Sequence, residues 1–503
     1  MVQFHTVTPL LFKGYALLFP EALLIIAAAW ALFADRLPGR DRGAAALAAG
    51  AALVAGVITG LTAADTALFG SKLIASINPR DFSDSRFGGV ALCVLALIWF
   101  IWTAAAGKGR TAEATALACL SLAGALLAIQ AADLIVLLLA LELSALPVYV
   151  LIGYRRGRAP GFEGALKYFL LSMLTSLFLF YGASFAFGLA GTTHYVGLQN
   201  LPREPLTAVV LIFMFVGIFA KMSAAPFHFW APDAYAGAEP WSVAFAATLP
   251  KVAASFVLVR LMTVLQPQSE LLKWTLLIAA VLSMLVGVLG ALTQKDIRRM
   301  MAYSGVANIG FVLLALGVVG TPVAGSGLYF ALFFVVAYAL PTMGILLIVA
   351  SEGGSISALT GLSRRRPVAA GALVVCTLSL IGVPPLMGFF GKFFIFLAGV
   401  AGHLLPFVIL MVVVSVISAF YYLRLVKAAF FDVPEETAPA CLSDGQYFSW
   451  MLGIKGAGQI EADRPARHTP LGAEFAVLLC ALLTIAAGIG SSLIITWITK
   501  PPY

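Results

Sequence analysis

Five ionisable side chains stand where the sequence carries almost no other charge: Glu142, Lys167, Lys221, Lys251 and Lys392 each lie in, or at the edge of, a long apolar run. An amine and a carboxylate in such surroundings can exchange protons. Burial disfavours an ammonium and a nearby carboxylate favours it, so moving the carboxylate toward or away from a lysine changes its affinity for a proton. Glu142, in ALELSALPVYVLIGY (140–154), is the acid expected deep within the first half, which makes it the natural partner of Lys221. A charge at the centre of a spanning helix costs roughly 2.5–3.5 kcal/mol on insertion scales, so each of these residues needs a partner or a use.

Every one of them also has a structural reading. Glu142, Lys221, Lys251 and Lys392 could be buried charges that only fix helix packing, and Lys167 could extend its long stem to the aqueous interface. His228, two residues after Pro226, has the chemistry of a proton relay or of a simple hydrogen-bonding residue. Asp233, Asp296, Glu239 and His194 are expected at or beyond the interface, in solvated or capping roles. No clustered set of histidine and carboxylate suggests a metal site. Cys93, Cys119, Cys376, Cys441 and Cys480 contain no C-x-x-C pair, and no G-x-G-x-x-G follows a strand, so neither an iron–sulfur cluster nor a dinucleotide has a candidate site. Any redox chemistry is expected in other chains.

The elements that position these residues must be membrane helices. Of 503 residues, 61% are hydrophobic and 11% charged, and the mean hydropathy is +1.01, far from the composition of a soluble domain. Apolar runs of about 18 or more residues recur along the chain, each able to cross roughly 30 Å of hydrocarbon as a helix. The segmentation gives about fourteen spans, near 15–34, 43–63, 86–107, 112–130, 132–153, 162–190, 205–227, 240–265, 271–293, 299–319, 325–350, 368–398, 403–427 and 472–497. The first is expected to persist rather than be cleaved as a signal peptide. The formal charge of +8 follows topology. Basic clusters at Arg36–Arg42, Lys108–Arg110, Arg155–Arg158, Lys295–Arg299 and Arg364–Arg366 fall on alternate loops, with the long stretch 428–471 on the same side. This places both termini away from the cytoplasm and leaves no reason to propose a nucleic-acid partner.

Two spans are interrupted. One runs from Lys221 into Pro226 and Pro232; the other carries Pro384, Pro385, Gly388 and Gly391 beside Lys392. Proline removes a backbone donor, so these are candidate broken helices, and breaks in corresponding positions of two halves point to inverted repeats around a hydrated path. The expectation is an all-α polytopic fold. It comprises an N-terminal three-helix segment (1–111), two five-helix repeats of inverted topology (112–265 and 271–427), each with a broken helix, and a long loop with a C-terminal helix (428–503).

With AKMSAAPFHFWAPDAY (220–235), LPKVAASF (249–256), QKDIRRMMAYSGVANIGF (294–311) and IGVPPLMGFFGKFFIF (381–396), the chain resembles the subunit N family, antiporter-like membrane subunits of bacterial NADH-quinone oxidoreductase (respiratory complex I). The likeness covers essentially the whole chain. It implies that Glu142 and Lys221 are the paired residues of the fifth and seventh spans, Lys251 the connecting lysine of the eighth, and Lys392 the terminal lysine of the broken twelfth. Lys167 corresponds to a further lysine of the sixth.

The resemblance further implies proton conduction in the bacterial inner membrane. The partners would be other membrane and peripheral subunits, and those subunits would hold FMN, iron–sulfur clusters and quinone while this chain holds no cofactor. Two rival readings share the composition: a subunit of a multi-subunit Na⁺/H⁺ antiporter, and a structural membrane subunit with no proton path of its own. The LPKVAASF form around Lys251 favours the respiratory subunit.

Overall fold

The computed structural model describes residues 19–34, most of 47–55, 82–106, 111–154, 159–202, 204–265, 268–432 and 470–499. Most of the expected span at 43–63, the first three basic clusters (Arg36–Arg42, Lys108–Arg110 and Arg155–Arg158), and most of the stretch 428–471 with Cys441 lie outside the described residues.

In a bilayer every backbone N–H and C=O must be satisfied within the chain, and the helix does this segment by segment. The described elements are accordingly helical: α1 (Phe19–Ala34), α2 (Phe82–Ala106), α3 (Thr111–Gln130), α4 (Leu134–Ile152), α5 (Ala159–Ala190), α6 (Pro205–Met222), α7 (Trp230–Gly237), α8 (Pro240–Ala246) and α9 (Leu249–Val264). They continue with α10 (Ser269–Leu292), α11 (Ile297–Leu316), α12 (Ala324–Glu352), α13 (Pro367–Ile381), α14 (Met387–Ala401), α15 (Leu405–Phe430), α16 (Leu471–Ile489) and α17 (Ser491–Thr499). Among the described residues, 11 helical segments are long and apolar enough to cross a membrane, α8 and α9 forming one of them, and Pro20–Phe33, Pro367–Ile381 and Met387–Ala401 are shorter apolar helices.

Packing sorts the helices into centre and periphery. An apolar 18-residue stretch within Pro240–Val264 and one within Ala324–Glu352 are each 94% buried, whereas that within Leu405–Phe430 is 33% buried. Outer helices present large apolar side chains such as Phe162, Tyr181 and Phe420, a surface that water would not tolerate in such density but lipid does. Small residues let the inner helices approach closely. A β-carbon at Gly287 of α10 would lie 2.3 Å from the Ala307 backbone nitrogen of α11, and one at Gly310 would lie 2.9 Å from that of Met284.

Both expected breaks are present. α6 stops at Ser223, which adopts a left-handed φ of 62°, and the path resumes as α7 at Trp230. α13 stops at Gly382, φ 98°, and α14 begins at Met387. Proline alone does not break a helix here, because Pro147 and Pro341 sit inside α4 and α12, which continue. The second break is held from outside by α16, where Gly488 lets the Pro385 carbonyl approach to 2.2 Å of a would-be β-carbon.

Charged networks fasten one rim. Asp233 accepts from Lys167 at 2.9 Å and from Arg299 at 2.5 Å, joining α5, α7 and α11. Glu352, at the end of α12, bonds Arg365 and Arg366 at 3.0 and 2.8 Å, and Arg366 reaches Glu474 of α16 at 3.0 Å.

Candidate functional site

The fold brings Glu142 and Lys221 into one buried cluster. Lys221 occupies the last turn of α6, and its Nζ donates to Glu142 Oε1 at 2.9 Å, Tyr149 Oη at 3.1 Å and Ser172 Oγ at 3.0 Å. A lysine ammonium has three donors, and all three are used. Glu142 and Tyr149 lie two turns apart on α4, so they share a face; Ser172 and Ser176 do the same, one turn apart on α5. Ser176 Oγ donates to Glu142 Oε1 at 2.5 Å, and Tyr149 Oη donates to Ser172 Oγ at 2.6 Å. The second carboxylate oxygen, Glu142 Oε2, is buried without a partner. The Glu142 side chain is 18% exposed and that of Lys221 5%, so this is a pair sunk in the helix bundle with one acceptor to spare.

Lys392 solves the same problem without an acid. Its Nζ donates to the carbonyl oxygens of Leu380 and Ile381 at 2.8 and 2.9 Å and to Ser415 Oγ at 2.8 Å. The last carbonyls of a helix lack intrahelical partners and carry the negative end of its dipole. The break after α13 therefore supplies the counter-charge. Gly382 is required twice over: its φ is positive, and a β-carbon there would press to 3.2 Å on Lys392 Cδ.

Lys251 lies in the first turn of α9, 2% exposed, with its Nζ 5.4 Å from the centroid of the Tyr235 ring. Nothing hydrogen-bonds that nitrogen. Lys167 is placed differently. Its side chain is 44% exposed, and its partners are Glu163 at 2.7 Å and Asp233 at 2.9 Å, a rim network rather than the Glu142 cluster. His228 is buried in the link between α6 and α7, its ring 4.6 Å from that of Phe229 and 6.4 Å from that of Tyr303.

Of the residues expected at the interface, Asp296 caps α11 through the Arg298 N–H, and His194 pairs with Asp133 at 3.4 Å. Asp233 is not merely solvated, being held between two cations.

Sequence reading missed the neutral groups. Ser304 Oγ and Tyr422 Oη are hydrogen-bonded, with Asn308 Nδ2 at 3.5 Å from both oxygens. Ser415, Ser418 and Tyr422 lie along one face of α15, and Ser418 Oγ donates to the Ser415 carbonyl at 2.6 Å. Polar residues recurring at helical spacing in otherwise apolar spans are the signal that could have found them. It missed two buried acids as well. Glu21 of α1 accepts from Gln130 at 3.0 Å, and Glu352 belongs to the rim. Both sit near helix ends, where sequence gives no depth.

The model of the NADH:quinone oxidoreductase/Mrp antiporter transmembrane family matches residues 131–418, a stretch containing every residue of the lysine clusters. NADH-quinone oxidoreductase subunit N of Sphingopyxis alaskensis is 35% identical over 433 residues, covering 83% of this chain and 89% of that one. A chain of respiratory complex I from Thermus thermophilus superposes with a TM-score of 0.74 at 29% identity, over 95% of this chain and 98% of that one. A chain of the Mrp complex from Dietzia sp. DQ12-45-1b gives a TM-score of 0.80 at 22% identity, over 97% and 96% respectively, a likeness of fold alone. The chain belongs to the NADH-quinone oxidoreductase subunit N family of antiporter-like membrane proteins.

Proposed function

We propose that this chain is the proton-translocating subunit N of a NADH-quinone oxidoreductase, and that Glu142, Lys221, Lys251 and Lys392 carry protons across its middle. The observation that carries the reading is the buried Glu142–Lys221 pair at 2.9 Å, together with a second buried lysine, Lys392, seated on the open end of the other broken helix. A pair that separates leaves an uncompensated ammonium, which favours release of its proton. Driving one charge against 100 mV takes roughly 2.3 kcal/mol, the equivalent of about 1.7 units of proton affinity, and burial changes of that size are ordinary for lysine.

In this reading residues 112–265 and 271–427 act as two repeats, Lys251 links them, His228 relays protons between lysines, and Lys167 takes a further part in their movement. The first 111 residues and the segment from 428 onward frame the repeats. Electron transfer, with FMN, iron–sulfur clusters and quinone, is assigned to partner subunits. The complex sits in the bacterial inner membrane, with both termini of this chain on the periplasmic side as the basic loops imply. The identity to subunit N sequences supports the respiratory reading over a Na⁺/H⁺ antiporter, with which the fold is shared. The deciding experiment measures protons pumped per electron in vesicles carrying Lys221→Ala: assembled complex with impaired pumping is expected, and unchanged pumping refutes the proposal.

A further inference from the structure

Trp230 opens the short helix α7, and its indole stands in the middle of a row of buried rings. On one side it lies flat on Tyr168 of α5, with ring centroids 3.8 Å apart and planes 10° from parallel. Tyr168 meets the Tyr149 ring edge-on at 4.6 Å, and Tyr149 Oη accepts from Lys221. On the other side Trp230 meets Tyr235 at 6.1 Å and 75°, and the face of the Tyr235 ring lies 5.4 Å from the Lys251 ammonium. One indole therefore stands between the ring that touches Lys221 and the ring that touches Lys251.

Trp230 also bridges the break in the chain. Its Nε1–H donates to the Ala220 carbonyl at 3.1 Å, from the start of α7 back to the end of α6. The carbonyls of a last helical turn lack intrahelical partners, and this one belongs to the residue immediately before Lys221. α7 is clamped to α5 at two neighbouring residues: Lys167 pairs with Asp233 at the rim, and Tyr168 stacks on Trp230 inside. The indole thus ties the helix end that carries Lys221 to α5.

The place of a phenol oxygen depends on how its ring is turned. Tyr149 Oη accepts from Lys221 at 3.1 Å and donates to Ser172 at 2.6 Å, so a small swing of the ring breaks both bonds. That swing is checked by the edge of Tyr168, which cannot tilt while it lies flat on Trp230. Stacked and edge-on aromatic pairs favour particular orientations over mere contact. Lys251 depends on a ring still more directly: its Nζ has no hydrogen-bond partner, and an ammonium is attracted to the face of a ring rather than to its edge.

We propose that Trp230 is a positioning residue for proton transfer, fixing Tyr149 against Lys221 and Tyr235 against Lys251, so that one indole sets the surroundings of both lysines. The inference rests on the proton-conducting reading above and adds to it a side chain that touches neither ammonium. An indole N–H is a donor with no acceptor, so Trp230 carries no proton and acts by geometry. A misplacement of about 1 Å at a reacting group can cost about a hundredfold in rate, which is enough for a ring one contact away to govern the site.

The test uses the assembled complex in vesicles, with protons pumped per electron measured across a range of pH. Trp230→Leu removes the stack and the donor, whereas Trp230→Phe keeps a ring and loses the donor. Pumping should fall at least twofold in Trp230→Leu with a pH profile displaced from the parental one, and Trp230→Phe should restore the parental profile. Because Trp230 acts through Tyr149, adding Tyr149→Phe to Trp230→Leu should cost no more than Trp230→Leu alone. A residue that only fills space lowers the melting temperature and leaves the ratio and pH profile of the assembled complex parental; that result overturns the proposal, as do losses that multiply in the double variant. Should Trp230→Leu fail to assemble, Tyr168→Leu removes the other plate of the stack and should show the displaced profile. A parental profile there, or failure of both variants to assemble, overturns the proposal. Lys221→Ala separates the two levels. If it pumps normally the proton-conducting reading itself fails; if it is impaired while Trp230→Leu is not, only the present inference falls.

Discussion

The ammonium of Lys392 sits 2.8 Å from the carbonyl oxygen of Leu380, at the C-terminal end of the half-helix that precedes it. Lys221, by contrast, takes a carboxylate from another helix. The two breaks therefore stabilise a buried cation by different means: a side chain that can swing in the first half, and a backbone that cannot in the second. The asymmetry suits Lys221 to switching and Lys392 to holding.

Replacing Lys392 by Met keeps the length and removes the charge. The Leu380 and Ile381 carbonyls then lose their buried donor, at a cost of about 1–3 kcal/mol per unsatisfied group. The expected result is a subunit that still assembles, with a lowered melting temperature and strongly reduced pumping. Native gels and vesicle acidification, measured on the same preparation, check both parts.

Glu142→Gln retains the shape and an acceptor for Ser176 but removes the counter-charge of Lys221. Pumping should fall about as far as in Lys221→Ala, with assembly preserved. Glu142→Ala should be worse for the fold, since breaking a buried ion pair from one side costs about 3–5 kcal/mol. Equal melting temperatures for the two variants would contradict this account.

Tyr149→Phe removes one of the three acceptors around Lys221 and leaves the carboxylate in place. A loss of about 1–3 kcal/mol in stability is expected from the stranded donor, with pumping slowed rather than abolished. Comparison with Glu142→Gln in one assay separates the neutral contact from the charged one.

Glu352→Ala tests the rim. It removes the carboxylate shared by Arg365 and Arg366, leaving Arg366 paired with Glu474 of α16 and Arg365 bonded to the Ala358 and Thr360 carbonyls. Assembly or thermal stability should drop by about 1–3 kcal/mol. Whatever complex does assemble should pump at the parental ratio, because no conducting lysine is touched. A normal melting curve with impaired pumping would place Glu352 on the path instead.

Lys167→Ala should weaken pumping far less than Lys221→Ala. Its bonds to Glu163 and Asp233 are solvent-facing, and exposed ion pairs contribute little. Equal defects in the two variants would show that the rim lysine conducts.

The sequence by itself determined the solvent, the helices and the identity of the rare charges. Sixty-one per cent hydrophobic residues and long apolar runs admit helices as the spanning solution, and a charge in such a run stands out against its neighbours. Both breaks were legible for a related reason: Pro384, Pro385 and the glycines around Lys392, like Pro226 after Lys221, remove backbone donors within single segments.

Only the tertiary structure decided which partners the charges have. Glu142 and Lys221 are 79 residues apart, and their contact depends on three helices meeting. Sequence offered Lys167 an interfacial reading that it did not offer Lys221, but only depth in the bundle separates the two: one is exposed at a rim and the other is enclosed by a carboxylate, a phenol and a serine. The hydroxyl groups were least visible of all. A serine or tyrosine in an apolar helix costs little and marks nothing until the fold sets Ser304 against Tyr422, 118 residues away.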